Sequence, residues 1–233
     1  VAPLYNRLKL NQEQSMHFAV QSRAIVINEY LNRLRDVVTQ VGSRTHAKQA
    51  LVEYNAGRKE LTSYQAFSTP ILSDAVNNNE DILGLMRFDQ SNHLAVSIGQ
   101  DISEAFWQFP SRDRADPVFF LVWNVTQPVL VISAPILDRD KSRIGTDLVV
   151  FSLSKLREIV NDKTGLGQTG ELTLIQLDGN KPKPLFAVNR DILNETMQPI
   201  VVAAVNDAAN KAVGMQYWPG GVLAYRNMPV PNW

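Results

Sequence analysis

The chain has 233 residues, 45% hydrophobic and 8% aromatic, with 23 Lys and Arg against 23 Asp and Glu and no cysteine. That apolar share supports one sizeable core or two smaller ones of roughly 100–150 residues each, and it excludes a disordered tail or a bare coiled coil. A formal charge of zero with scattered Lys and Arg lacks the electrostatic footprint of a nucleic-acid binder, and without cysteine there is no disulfide framework, thiolate zinc site or thiol nucleophile.

The compartment stays open, because a cysteine-free chain suits a reducing cytoplasm and an oxidising periplasm alike. The sequence begins at Val1 with neither an initiator Met nor a signal-like segment, the pattern expected of a piece taken from a longer protein.

Along the chain, Val20, Ala24, Ile27, Leu31, Leu34, Val38 and Val41 follow alternating four- and three-residue steps, a heptad seam. No Gly or Pro falls between Tyr5 and Val41, and Gly42 stands where a C-terminal cap would, so one helix of up to about 35 residues is expected. Its first half, with Gln12, Glu13, Gln14, Ser15 and His17 on several faces, either projects and pairs with a second copy or packs along one domain. From Arg44 to Asn79 two shorter helices fit, broken near Gly57 and Pro70.

Strands are expected at Ile82–Phe88 and Leu94–Ile98 around the turn Asp89-Gln90-Ser91-Asn92, then at Val118–Val125, Val129–Ile136 and Ile144–Leu153, the last two joined by Asp138–Arg143. No residue from Pro117 to Leu137 is charged. Asn124, Thr126, Gln127, Pro128, Ser133 and Pro135 nevertheless interrupt that stretch, which fits two buried strands better than a membrane helix. Ser154 then caps a short helix to Asn161.

The pattern restarts in reduced form: a strand at Glu171–Leu177, a turn at Asp178-Gly179, a strand at Pro184–Val188, a helix from about Asp191 to Asn210, and strands Gly214–Trp218 and Val222–Arg226. The class is α+β, a long N-terminal helix followed by two antiparallel-sheet modules, the second smaller, with the boundary near Asp162–Gly170. The corresponding division is 1–43 as a helical stalk, 44–161 as the first module and 162–233 as the second.

Gly165-Leu166-Gly167-Gln168-Thr169-Gly170 matches G-x-G-x-x-G by letter. A phosphate cradle needs a strand before the glycines and a helix after them, whereas here a helix precedes and a strand follows, so a linker with glycines at positive φ is expected. His17, His46 and His93 have no partner at ligand spacing, and no G-x-S-x-G elbow occurs. Asp138, Asp140 and Asp147 lack the glycine and terminal Glu of a calcium loop. Asn124-Val125-Thr126 and Asn194-Glu195-Thr196 are glycosylation triplets by letter only. No catalytic constellation and no cofactor is expected. The loop Phe106-Trp107-Gln108-Phe109-Pro110-Ser111-Arg112-Asp113-Arg114-Ala115-Asp116 sets aromatics beside guanidinium groups, which suits either a small-molecule pocket or a surface loop whose aromatics cover the sheet.

The order of elements and several phrases resemble the double Cache sensor domains, tandem PAS-like modules found outside the membrane in bacterial receptors. The likeness lies in the long first helix, in Val131-Ile132-Ser133-Ala134-Pro135-Ile136, in Ile144-Gly145-Thr146 running into Phe151-Ser152-Leu153-Ser154-Lys155-Leu156, and in the linker Thr164–Glu171. The closing segment Val222–Trp233 also resembles the family's last strands.

This resemblance implies a membrane-distal first module that holds a small-molecule ligand, a membrane-proximal second module and flanking membrane spans outside the chain. It also implies a homodimer through the N-terminal helix, a periplasmic location and a cytoplasmic output. Such an output is commonly a histidine kinase, otherwise a diguanylate cyclase, a phosphodiesterase or a chemotaxis domain; this chain itself is expected not to be an enzyme. The pocket is expected at Trp107, Arg112, Arg114, Trp123 and Ser133, with aromatic walls and arginines as anchors for an anionic ligand.

The family's amino-acid-binding subset carries an Asp near the end of its last strand. Val150 takes that place here, and Asp147, an odd number of residues away, is expected on the opposite face. Rival readings are a soluble enzyme holding a nucleotide on the glycine-rich linker, and a dimerisation module with no ligand.

Overall fold

From Ala24 onward the heptad seam is buried as its spacing demands, with Ala24, Ile27, Leu31, Leu34, Val38 and Val41 each no more than 5% exposed, while Val20 is half-buried. In the computed structural model these residues belong to α1 (Ala2–Ser43), longer than expected at both ends. Pro3 fits the first turn, where the missing N–H would have had no partner. The structure describes residues 2–112, 115–123, 127–166, 170–178, 181–186, 197–208, 210–218, 221–228 and 233. The chain forms two compact units: a terminal unit of Val1–Tyr30 with Leu156–Trp233, and a central unit of Leu31–Lys155.

In the central unit α2 (Thr45–Asn55) and α3 (Leu61–Asn77) precede five strands: β1 (Ile82–Phe88), β2 (Leu94–Gly99), β3 (Val118–Val122), β4 (Val129–Leu137) and β5 (Arg143–Phe151). Pro70 does not break α3, contrary to the sequence reading. An interior proline costs about 3 kcal/mol, and the burial of Tyr64, Leu72, Ala75 and Val76 on either side of it outweighs that. The turn after β1 is built as its residues suggest: Asp89 Oδ1 accepts the N–H groups of Ser91 at 2.7 Å and His93 at 2.9 Å. The uncharged stretch from Pro117 supplies β3 and β4, with residues 124–126 outside the described ones. Among the described residues no helix is long and apolar enough to cross a membrane.

All neighbouring strands pair antiparallel, in the order β2-β1-β5-β4-β3. The edge strands β2 and β3 are consecutive in sequence but about 19 Å apart at four strand spacings, so residues 100–117 must cross the sheet. Residues 102–109 of this segment lie on the face where Met86, Phe88, Phe120, Val131, Leu148 and Val150 form a buried cluster with Ile102, and Phe106, Trp107 and Phe109 pack against it. The opposite face, carrying Leu85, Arg87, Ile132 and Val149, is turned to the helices. There Arg87 Nη2 donates to the Val41 carbonyl at 3.3 Å, and Arg35 lies 5.6 Å from the centre of the Phe119 ring.

The terminal unit adds α4 (Ser154–Asn161), β6 (Ile175–Asp178), β7 (Lys181–Pro184), α5 (Met197–Ala208), β8 (Val213–Trp218) and β9 (Gly221–Arg226), with most of α4 and residues of α1 up to Tyr30. The N–H of Ser154 is taken by Ser152 Oγ at 3.1 Å, so the capping hydroxyl lies two residues upstream of the expected one. Among the described residues β6 pairs only with β7 and β8 only with β9. β6 starts later than expected, at Ile175, and β7 lies earlier, at Lys181–Pro184; residues 187–196, part of the expected strand and helix, are outside the described ones. Pro182 and Pro184 alternate in β7, so their missing donors fall on the same side of a two-stranded ladder, the setting in which strand prolines are tolerated.

The antiparallel sheets and segregated helices make this an α+β chain with a larger and a smaller PAS-like sheet module.

Candidate functional site

The crossing segment 100–117 fixes what the covered face of the five-stranded sheet can present. Gly99 starts it with φ +73°, a conformation open to glycine, and a Cβ there would stand 2.4 Å from the Leu83 carbonyl. Trp107 is then held by its Nε1–H to the Ile102 carbonyl at 3.2 Å and by an edge-on contact with Phe88 at 4.7 Å between ring centres. Phe109 meets the same Phe88 ring at 5.0 Å. The aromatics therefore cover the sheet, and their rings wall its face.

Ser133 lies on that face. Its register opposite Val118 on β3 and Leu148 on β5 sets it among apolar neighbours, and it is fully buried with no hydrogen-bond partner for Oγ. An unsatisfied buried hydroxyl costs about 1–3 kcal/mol. Trp107 and Ser133 thus share one face. Trp123 does not join them at the same end: Val122 pairs with Val129 at the start of β4, so Trp123 follows β3 at the end away from the β4–β5 turn. Arg112 is exposed on the crossing segment, and Arg114 lies outside the described residues.

The charged group that the structure adds is Arg143, the first residue of β5. Its Nη1 donates to the Pro110 carbonyl at 2.9 Å, Nη2 to Asn92 Oδ1 at 3.1 Å and to Thr146 Oγ1, and Nε to the Gly145 carbonyl at 3.3 Å. These acceptors are all neutral, and among the described residues no carboxylate pairs with Arg143. Burial pushes its guanidinium below the ordinary arginine value, and the neighbouring Arg112 lowers it further. Arg143 thus has only neutral hydrogen-bond acceptors among the described residues, with the Arg112 charge near enough to act on it. In the sequence Arg143 reads as one more charge in a hairpin turn; only the tie to Pro110 reveals its place beside Arg112.

Val150 and Asp147 lie on opposite faces of β5, as their spacing predicts. Val150 is fully buried opposite Val131 on the covered face. Asp147 turns to the helices, ion-paired with Arg87 at 2.6 Å. No Asp or Glu occupies the described strand positions of the covered face; the carboxylate nearest to it is Asp101, which accepts from Ser97 on β2. Among the described residues no group of three or more His, Cys, Asp or Glu converges as a metal site. The glycine-rich linker has α4 before it and β6 after it, and Gly165 takes φ +81°, the linker geometry expected; residues 167–169 lie outside the described ones.

No family model matches the chain, and no curated protein matches it. Solved structures do. The domain of a protein assigned to the sensory box/GGDEF family of Vibrio parahaemolyticus superposes with a TM-score of 0.63 at 14% identity, covering 94% of this chain and 92% of that one. The extracellular domain of vpHK1S-Z8, assigned as a histidine kinase, gives 0.61 at 15% identity over 94% and 87%. The ligand-binding domain of the Campylobacter jejuni chemoreceptor Tlp3, in complex with 4-methylisoleucine, gives 0.58 at 14% identity over 91% and 85%. The chain has the fold of these sensor domains.

Proposed function

We propose that this chain is the extracytoplasmic sensory part of a membrane-bound signal-transduction receptor, binding a small acid in its central unit and passing a conformational signal to an output domain outside the chain. The observation that carries the reading is the likeness to two signalling-protein domains over 94% of this chain and 92% and 87% of theirs. A two-component histidine kinase is the favoured output, with no catalytic step in this chain. The likeness to the GGDEF protein favours a diguanylate cyclase as the second reading.

The ligand reading rests on Arg143 and Arg112 as anchors, Trp107 and Phe109 as apolar walls and Ser133 as an added polar contact. The Tlp3 domain holds an amino-acid derivative; here Val150 and the absence of a strand carboxylate on the covered face favour an acid without an ammonium group. The proposed division keeps 1–43 as a dimerising stalk, 44–161 as the distal ligand module and 162–233 as the proximal one. Exposed Leu4, Leu8, Phe18 and Ile25 on α1 support a homodimer through that helix. Ligand binding biases two arrangements of the long helices only by its differential affinity for them, and a few kcal/mol suffices.

The test of the receptor reading is the complete gene together with reporter fusions in the bacterium. Apolar spans of about 20 residues on both sides, with this chain on the outer side, are expected. A gene encoding neither span overturns the reading.

A further inference from the structure

α5 presents Val201, Ala204, Val205 and Ala208 at the spacing of one helical face, and α1 does the same with Met16, Val20, Ala24 and Ile27. Both faces line a cavity of about 550 Å³, with residues 170–175, β9 and Trp233 among its other walls, and every residue lining it belongs to the terminal unit. Alanines stand on both helices where longer side chains would close the space, and an interior packed to ordinary density holds few voids larger than a water molecule. The volume falls within the ~300–1,000 Å³ range of small-molecule pockets. A docked helix, about 10 Å across, would fill it in little more than one turn, so a small molecule is the occupant that fits.

The polar side chains at its walls are already engaged. Arg23 Nη2 pairs with Asp162 Oδ2 at 2.7 Å and donates to the carbonyls of Asp162 and Thr164 at 3.2 and 3.4 Å. The Tyr225 hydroxyl donates to Asp207, and Asn227 Nδ2 to the Ala208 carbonyl at 3.0 Å. Arg226 and Glu171 are of opposite sign, so no net charge is left to select an ion. At the ~30 Å³ that each takes in the liquid, about eighteen waters would fill the space, and apolar walls give them few hydrogen-bond partners. An uncharged apolar molecule meets those walls without that loss. The rings of Trp218 and Trp233 and the thioethers of Met16 and Met228 in the lining favour aromatic surface.

We propose that the terminal unit carries a second ligand site, for an uncharged apolar aromatic molecule, lined by Val20 and Ala24 of α1, Val201 and Ala204 of α5 and the rings of Trp218 and Trp233. The site stands on its own geometry and does not depend on the acid reading at Arg143.

Fluorescence titration of the 233-residue chain with N-phenyl-1-naphthylamine, an uncharged probe whose emission rises in apolar surroundings, tests it. One probe binds per chain and naphthalene displaces it. Naphthalene-2-carboxylate, the same ring with a charge, displaces it about a hundredfold more weakly, because the walls offer that charge no partner. Ala204→Trp fills the cavity and abolishes binding. Absence of saturable binding, displacement by the carboxylate as readily as by naphthalene, or unchanged binding in a folded Ala204→Trp protein overturns the proposal. If circular dichroism shows that Ala204→Trp does not fold, 1-bromonaphthalene, which quenches tryptophan emission on contact, decides. Quenching of the wild-type chain that is lost in the double variant Trp218→Phe, Trp233→Phe supports the site, and quenching that persists there, or none in the wild-type chain, overturns it. Loss of probe binding in Arg143→Ala, which lies outside the terminal unit, also overturns it.

Discussion

Arg87 and Asp147 face each other across β1 and β5 in direct register, joined by Nε to Oδ1 at 2.7 Å and Nη2 to Oδ2 at 2.6 Å, with both side chains excluded from water. Burial alone would lower the Arg87 guanidinium, but the Asp147 charge and hydrogen bonds raise it above the ordinary arginine value, so the pair stays ionised. Arg87 Nη2 also takes the Val41 carbonyl near the end of α1, where a cation is favoured by the helix dipole. One ion pair therefore ties the sheet to the last turns of the long helix. Asp147→Ala leaves a buried, uncompensated cation and is expected to cost about 3–5 kcal/mol, read as a lower urea midpoint. The double variant Arg87→Met, Asp147→Leu removes both charges and is expected to be far milder. Equal losses for the single and double variants would contradict this role.

A second expectation concerns alkaline pH in the terminal unit. The Tyr225 hydroxyl donates to Asp207, and burial first, then that bond, push its pKa from 10.0 up to about 12. The phenol is neutral in the folded state, so its contribution to stability is complete below about pH 10 and is lost as pH rises from there through 12. Absorbance titration at the tyrosinate band is expected to show a late component that Tyr225→Phe removes and Asp207→Asn moves to lower pH. Tyr64, which burial also raises, remains as background in both variants. A late component unchanged by Tyr225→Phe would contradict the assignment.

Ser133 gives opposite signs for stability and binding. With its hydroxyl buried and unpaired, Ser133→Ala is expected to leave the ligand-free protein equally stable or more stable by about 1 kcal/mol. The same change is expected to weaken binding of any acid found at the covered face. Chemical denaturation and titration of the one variant read both effects, and destabilisation of the free protein would contradict the unsatisfied state of the hydroxyl.

Local periodicity made the scaffold legible in the sequence. The four-and-three spacing from Val20 to Val41 marks a helix and its buried side together, and Asp89 to Asn92 carries its own turn chemistry, so α1 and the β1–β2 hairpin follow from neighbours in the chain. Parity along β5 placed Val150 and Asp147 on opposite faces for the same reason. Features set by distant residues were not legible. Arg87 and Asp147 are 60 positions apart, and nothing local distinguishes their pairing from solvated charges. Arg143 acquires meaning only because strand order forces residues 100–117 across the sheet and brings Pro110 to it. Pro70 misled because local backbone preference yielded to the burial of Tyr64 and Leu72. In β7 the expected strand start at Pro184 proved to be the strand's end, because pairing with β6 runs from Lys181 to Pro184.

The central claim is that the covered face of the central unit binds a small acid through Arg143 and Arg112. Thermal-shift screening of the chain with small carboxylic acids, followed by calorimetric titration of the best of them into wild type, Arg143→Ala and Arg112→Ala, tests it most directly. One acid is expected to bind, with affinity reduced by about tenfold or more in Arg143→Ala and by a smaller factor in the exposed Arg112→Ala. An acid that binds all three proteins equally would contradict the account.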